Sequence, residues 1–139
     1  MRRQALSPAR LLLPLLLAVV ILPLALLAPG TAAAAEVLQV RSAALLQVGD
    51  SNRSYGVALA CVAVEPEHAE AATHWLRERA PRGTRVNLRP VGQRDGVLLA
   101  RVRTLADRSR PALDLGEALV ALGLAQPLPG ADLQACAPR

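Results

Sequence analysis

The stretch from Tyr55 to Glu67, YGVALACVAVEPE, constrains this chain more than any other, because no charged or hydrogen-bonding side chain interrupts it from Val57 to Val64. Val57, Leu59, Cys61 and Ala63 occupy one parity, and Ala58, Ala60, Val62 and Val64 the other. The run therefore predicts a single strand covered on both faces. Pro66 has no N–H to give to a ladder, so pairing ends there and Glu65 and Glu67 are held at the strand's end. Any chemistry is expected at that acidic turn.

The flanking segments say what the strand pairs with. Before it, Glu36 to Gln47 carries the short apolar runs VLQV and AALLQV, and Gly49-Asp50-Ser51-Asn52 supplies a turn, which together predict an antiparallel meander. After it the apolar period changes. Pro66 at a first helical position, with Glu67 and Glu70 in the first turn, begins a helix. Its apolar stripe is Ala69, Ala72, Leu76 and Ala80, and Pro81 and Gly83 stop it. His68 and His74, six apart on that helix, are expected to face solvent, and Trp75 to be partly buried. TRVNLRP (84–90) alternates as a half-exposed strand, Asp95-Gly96 makes a hairpin turn, and Val97 to Leu105 returns with Leu98, Ala100 and Val102 on one face. Asp114 and Glu117 resemble a capping box. Leu115, Leu119 and Leu122 form the next helix's buried stripe, with Gly123 as its left-handed stop. The proline-bearing tail from Gln126 reads as irregular. Strands with helices at one end predict an α+β domain built on a small, twisted antiparallel barrel.

The N-terminus reads as a separate element. Arg2, Arg3 and Arg10 precede an apolar run, 11–27, and then small residues ending at Ala35. This is the layout of an export signal, with cleavage expected after Ala35, so that 1–35 is the signal peptide and 36–139 the folded domain. The alternative is an uncleaved anchor, in which 11–27 holds the protein in the membrane. The expected location is accordingly exported (periplasm, lumen or extracellular space) or membrane-anchored.

The net charge of +5 overstates the charge of the domain: three of the 16 basic residues lie within 1–35 and all 11 acids beyond it, which leaves a net +2. Every basic residue is arginine. That suits planar contacts with phosphate, but it is equally what a GC-rich genome encodes. Cys61 and Cys136 are the only cysteines. In an exported chain they are expected to pair, tying the tail to the central strand; the alternative is a buried free Cys61 and a frayed Cys136. Two thiols with His68 and His74 lack the paired spacing of a metal site.

Four pieces in order make the chain resemble the staphylococcal-nuclease-like (thermonuclease-like) domains, roughly over Val40 to Pro127. Val48-Gly49-Asp50-Ser51 is similar to that family's Asp-Gly-Asp-Thr turn, and Glu65-Pro66-Glu67 to its Asp-x-Pro-Glu turn. Asp95 to Ala100 resembles its Tyr-Gly-Arg-x-Leu-Ala hairpin, and Ala118 to Ala125 its Leu-Val-x-x-Gly-Leu-Ala helix end. The resemblance implies a five-stranded OB-fold barrel with appended helices. For active members it implies calcium, two arginines and a glutamate acting on a nucleic-acid phosphodiester. Carried over residue by residue, Asp50 corresponds to a calcium ligand and Glu67 to the general base.

The remaining positions do not match. The strand arginine falls at Ala58 or Leu59, the second calcium carboxylate at Ala63 or Val64, and the hairpin arginine at Val97. Aliphatic groups do not replace charge-assisted hydrogen bonds to phosphate. The expected function is therefore an exported binding or scaffold module with a degenerate site and no cofactor, its partner a polyanion or an envelope protein. The alternative is a calcium-dependent phosphodiesterase with a rearranged site, in which Glu65 restores a metal carboxylate and Arg101 or Arg103 reaches the phosphate. One Trp, one Tyr and no Phe leave few platforms for stacked bases.

Overall fold

The computed structural model describes residues 34–128 and Cys136, which belong to one compact unit, Ala33–Arg139. The expected export segment up to residue 33, with its apolar run 11–27, lies outside the described residues. Among the described residues no helix is long and apolar enough to cross a membrane. The first strand starts at Ala35, which is buried and lies opposite Val86. A cut after Ala35 would therefore remove a strand residue.

β1 (Ala35–Ser42), β2 (Leu45–Asp50) and β3 (Arg53–Leu59) form the expected antiparallel meander. A two-residue loop joins β2 to β3, and Ser51 at its first position takes φ 56. After β3 come a two-residue strand, β4 (Val62–Ala63), a 3-10 turn (Pro66–His68) and the helix α1 (Ala69–Arg79). β5 (Arg85–Arg94) and β6 (Val97–Thr104) are joined by Asp95-Gly96, both at positive φ as a type I′ turn requires. A short β7 (Leu113–Asp114) leads into α2 (Leu115–Ala121), and β8 (Gln126–Pro127) pairs with β4.

The five long strands close into a ring in the order β1-β2-β3-β6-β5 and back to β1. A ring with an odd number of strands cannot alternate direction throughout, so at least one seam must be parallel. Here it is β3–β6, with Val57, Ala58 and Leu59 opposite Leu98, Leu99 and Ala100. The barrel is thus mixed, where a wholly antiparallel one was expected; the α+β, OB-like architecture stands. Parallel neighbours need a long crossover, and the segment from β4 through α1 and β5 provides it.

The interior is aliphatic. Val37, Leu46, Val48, Val57, Val86 and Val102 are fully buried, α1 adds Leu76, and α2 adds Leu115 and Leu119. Each such side chain contributes about 1.5–3 kcal/mol on burial. In α1 the stripe is as expected, with Ala72, Leu76 and Ala80 buried and Ala69 packed at its edge. Trp75 packs at the core margin. In α2 the stripe ends sooner: Leu122 is 54% exposed, because it falls at the C-cap, where the chain turns away. Gly123 (φ 73) then allows a Schellman closure, in which Leu124 N donates to Leu119 O (2.9 Å) and Gly123 N to Val120 O (3.0 Å).

The central run departs most from expectation. Tyr55 to Val64 is two strands, broken at Cys61, whose φ is 68. Nor are both faces equally covered: Val57 and Leu59 point into the core, while Gly56, Ala58 and Ala60 are half-buried. Small side chains suit the outer face of a barrel. Cys61 is bonded to Cys136 with their Cα atoms 5.6 Å apart, and Cys61 O accepts a hydrogen bond from Leu128 N (3.0 Å). The beginning of the tail is thus a strand anchored on β4, where irregular chain was expected.

The disulfide and the β6–β7 loop each lead to a measurable outcome. Reduction, or paired Cys61→Ser and Cys136→Ser substitution, should lower the free energy of unfolding by about 4 kcal/mol for a loop this long. Denaturant melts with and without reductant measure it, and coincident curves would refute it. In the β6–β7 loop, Asp107 Oδ1 accepts hydrogen bonds from Ser109 N, Ser109 Oγ and Arg110 N at 2.7, 2.9 and 2.8 Å. These bonds hold the carboxyl below its ordinary value of 3.8. A lowered value means that the loop's contribution is present above 3.8 and lost as pH falls through the lower folded value. In an NMR titration, the Ser109 and Arg110 amide shifts should move with a midpoint under 3.8. A midpoint at or above it would contradict this account.

Candidate functional site

Glu65, Pro66 and Glu67 form an exposed turn beyond the end of β4. Glu65 is extended (φ −66, ψ 145), and its carbonyl accepts from His68 N at 2.9 Å, which starts the 3-10 turn. The Glu67 side chain is 78% exposed and its Oε1 lies 3.7 Å from His68 Nε2. His74 pairs along α1 with Glu78 at 3.8 Å. Neither contact involves Glu65, and no ion pair among the described residues joins it to Glu67 through a shared partner.

Asp50 is elsewhere. It lies opposite Arg53 at the first residue of β3, whereas Glu65 follows the far end of that strand. Six steps along β3 span about 20 Å, so Asp50 does not join Glu65 or Glu67 around one cation. Its field acts locally: burial pushes the Tyr55 phenol up, the Asp50 carboxylate adds to this, and Arg53 offsets it. Among the described residues no three carboxylate, imidazole or thiol side chains converge as metal ligands.

The surface beside the acidic turn is instead a cavity of about 780 Å³ between the β1–β2 turn, β4 and α1. Ala43, Ala44, Val62 and Val64 make its apolar floor, and Glu70 and Arg77 stand on its rim. Leu59 N donates to Ala44 O (2.8 Å), which places the β1–β2 turn at the same end of β3 as β4. Aliphatic side chains therefore occupy the ground next to Glu65 and Glu67. Of the positions to which the resemblance assigns arginine, Leu59 is buried in the core and Ala58 is half-buried. The third, Val97, lies against Gly56, where an added Cβ would meet its Cγ2 at 3.7 Å.

Arg101 and Arg103 part company on β6. Arg103 is exposed. The side chain of Arg101 is only 12% exposed and is committed to carboxylates: Nε and Nη2 donate to Asp114 Oδ2 at 3.2 and 3.0 Å, and Nη2 also contacts Glu117 Oε1. Asp114 divides its oxygens, because Oδ1 accepts from Glu117 N (3.0 Å) and so caps α2. The expected capping box is half realised. Asp114 caps as anticipated, while the Glu117 side chain turns to Arg101. Sequence reasoning missed this clamp, since 13 residues separate Arg101 from Asp114 and nothing local to either pairs them.

The chain matches no model of a known protein family and no curated protein.

The clamp yields a stability prediction. Arg101→Met should cost about 3 kcal/mol, because the buried Asp114 loses its counter-charge. Adding Asp114→Asn, which keeps a capping oxygen without the charge, should recover most of that loss. Equal stability of the single variant and the parent in denaturant melts would show that the clamp holds nothing.

Proposed function

We propose that this chain is an exported module of staphylococcal-nuclease-like architecture that works by binding rather than by phosphodiester cleavage. One observation carries the reading: aliphatic residues stand at the positions to which the resemblance assigns the two guanidinium groups and the second metal carboxylate. A cation and two arginines offset charge developing on phosphoryl oxygens, and Ala58, Leu59 and Val97 cannot do so. Of the two substitutes on β6, Arg101 is held by Asp114 and Glu117. The OB-like strand order supports the proposed architecture. The Cys61–Cys136 bond and the basic-then-apolar N-terminus support an oxidising, exported setting. The partner in this reading is a polyanion or an envelope protein.

Purified protein should release no acid-soluble nucleotides from single-stranded DNA or RNA in calcium beyond a chelator control. Losing one preorganised donor commonly costs about 100- to 1,000-fold in rate, so several missing groups extinguish turnover. Val97→Arg alone should not restore it. Digestion that needs calcium and is disabled by Glu67→Gln would replace this reading with a rearranged phosphodiesterase.

A further inference from the structure

A second concavity, of about 400 Å³, opens between the α1–β5 loop and the β6–β7 loop. Four arginine residues line it, from four separate places: Arg79 at the end of α1, Arg82 in the loop, Arg85 at the start of β5 and Arg110 beyond β6. All four are exposed. The C-terminus of α1 attracts cations and so accounts for Arg79. It does not account for Arg85 or Arg110.

The counter-charge at hand is small. Asp107 is the one carboxylate among the described lining residues; its Oδ1 already accepts three hydrogen bonds from its own loop, and its charge acts on Arg110. Glu36 lies across the β1–β5 seam from Arg85 but makes no ion pair with it. Arg82 Nη1 reaches Leu38 O at 3.5 Å, a weak contact with a neutral acceptor. Arg79, Arg82 and Arg85 thus gather around one void with no carboxylate within ion-pair reach among the described residues. Like charges held together repel, and an external anion relieves that repulsion.

The walls are fixed before any ligand arrives. On one side Gly83 N donates to Val37 O (2.7 Å), Val37 N to Thr84 O (2.8 Å) and Thr84 Oγ1 to Pro81 O (2.7 Å). On the other, Leu105 N donates to Arg85 O (3.0 Å) and Leu113 N to Thr104 Oγ1 (3.1 Å). The backbone that carries the arginines is thus fixed, and binding has only their side chains to order.

We propose that this groove is a binding site for a compact, multiply charged phosphate-type anion, such as pyrophosphate or a phosphomonoester. Planar guanidinium forks match phosphate oxygens two at a time. The volume suits a small ligand rather than a polymer. Among the described residues no aromatic side chain lines the groove, so nothing there stacks a base. The inference gives the binding-module reading a ligand and rests on that reading only to this extent, since the groove is formed apart from the Glu65–Glu67 turn.

Calorimetric titration of the full-length protein with inorganic pyrophosphate at low salt tests it. The expected result is saturable one-to-one binding that weakens as salt is raised. Arg82→Gln with Arg85→Gln should weaken it roughly 100-fold, about tenfold for each guanidinium removed from the anion. Arg94→Gln, at the distant hairpin, should leave it unchanged, and the thermal midpoint of each variant should match the parent. Absence of saturation at about 1 mM pyrophosphate overturns the proposal, as does binding indifferent to the Arg82 and Arg85 substitutions. If an oligonucleotide without terminal phosphate binds through these arginines and pyrophosphate does not, the groove follows a polymer backbone and the proposal falls. Calcium-dependent nuclease activity would overturn the non-catalytic reading alone and leave the groove to be judged by the titration.

Discussion

The parallel seam between β3 and β6 is the constraint from which the rest of this structure follows. A ring of five strands has to contain a parallel pair, and placing it between the third and the last long strand forces the intervening chain to cross the barrel. That crossing carries α1 against the barrel, where Ala72 and Leu76 complete the core. It also brings β5 back beside β1, with Ala35 opposite Val86. The β6 strand then delivers Arg101 to Asp114, and this clamp settles α2 by sharing one carboxylate between a helix cap and a guanidinium. Closure, helix placement and the ionic clamp are therefore successive consequences of one directional mismatch.

The sequence made the local features legible because they obey local rules. The spacing of Ala72, Leu76 and Ala80 marks one face of a helix, Asp95-Gly96 accepts the backbone of a two-residue hairpin, and Gly123 takes the left-handed stop. What stayed hidden depends on residues distant in the chain. Cys61 lies in an apolar run with no glycine or proline to mark a break, and its positive φ accompanies a bond to Cys136 and a hydrogen bond from Leu128. Leu122 continues the helical period but sits where the helix has already ended. The parallel seam is invisible to any pattern of alternation, because alternation reports faces and not direction.

The site was legible to a similar degree. Glu65 and Glu67 do stand on an exposed turn at a strand end, as the proline between them requires. Asp50 precedes the central strand and Glu65 follows it, so their separation was readable from the order of the chain, and only the resemblance brought them to one cation. Arg101 looked available because its strand alternates apolar and basic side chains, and only the return of the chain at Asp114 removes it from solvent. The four arginines of the groove were invisible for the same reason: each is an ordinary exposed residue until the loops at 80–84 and 105–112 face each other.

The bond between Cys61 and Cys136 joins residues 75 apart in a chain whose barrel begins at Ala35. Tension applied at the two termini would run along the backbone to Cys61, across the sulfur bridge and out through the last few residues. Everything between the two cysteines, including α1, the β5–β6 hairpin and α2, hangs as a closed loop outside that load path. The meander β1–β3 thus takes a pull first, and because it supplies both seams to β5 and β6 and much of the buried core, its extraction would open the barrel while the bridge kept the rest a covalently closed loop.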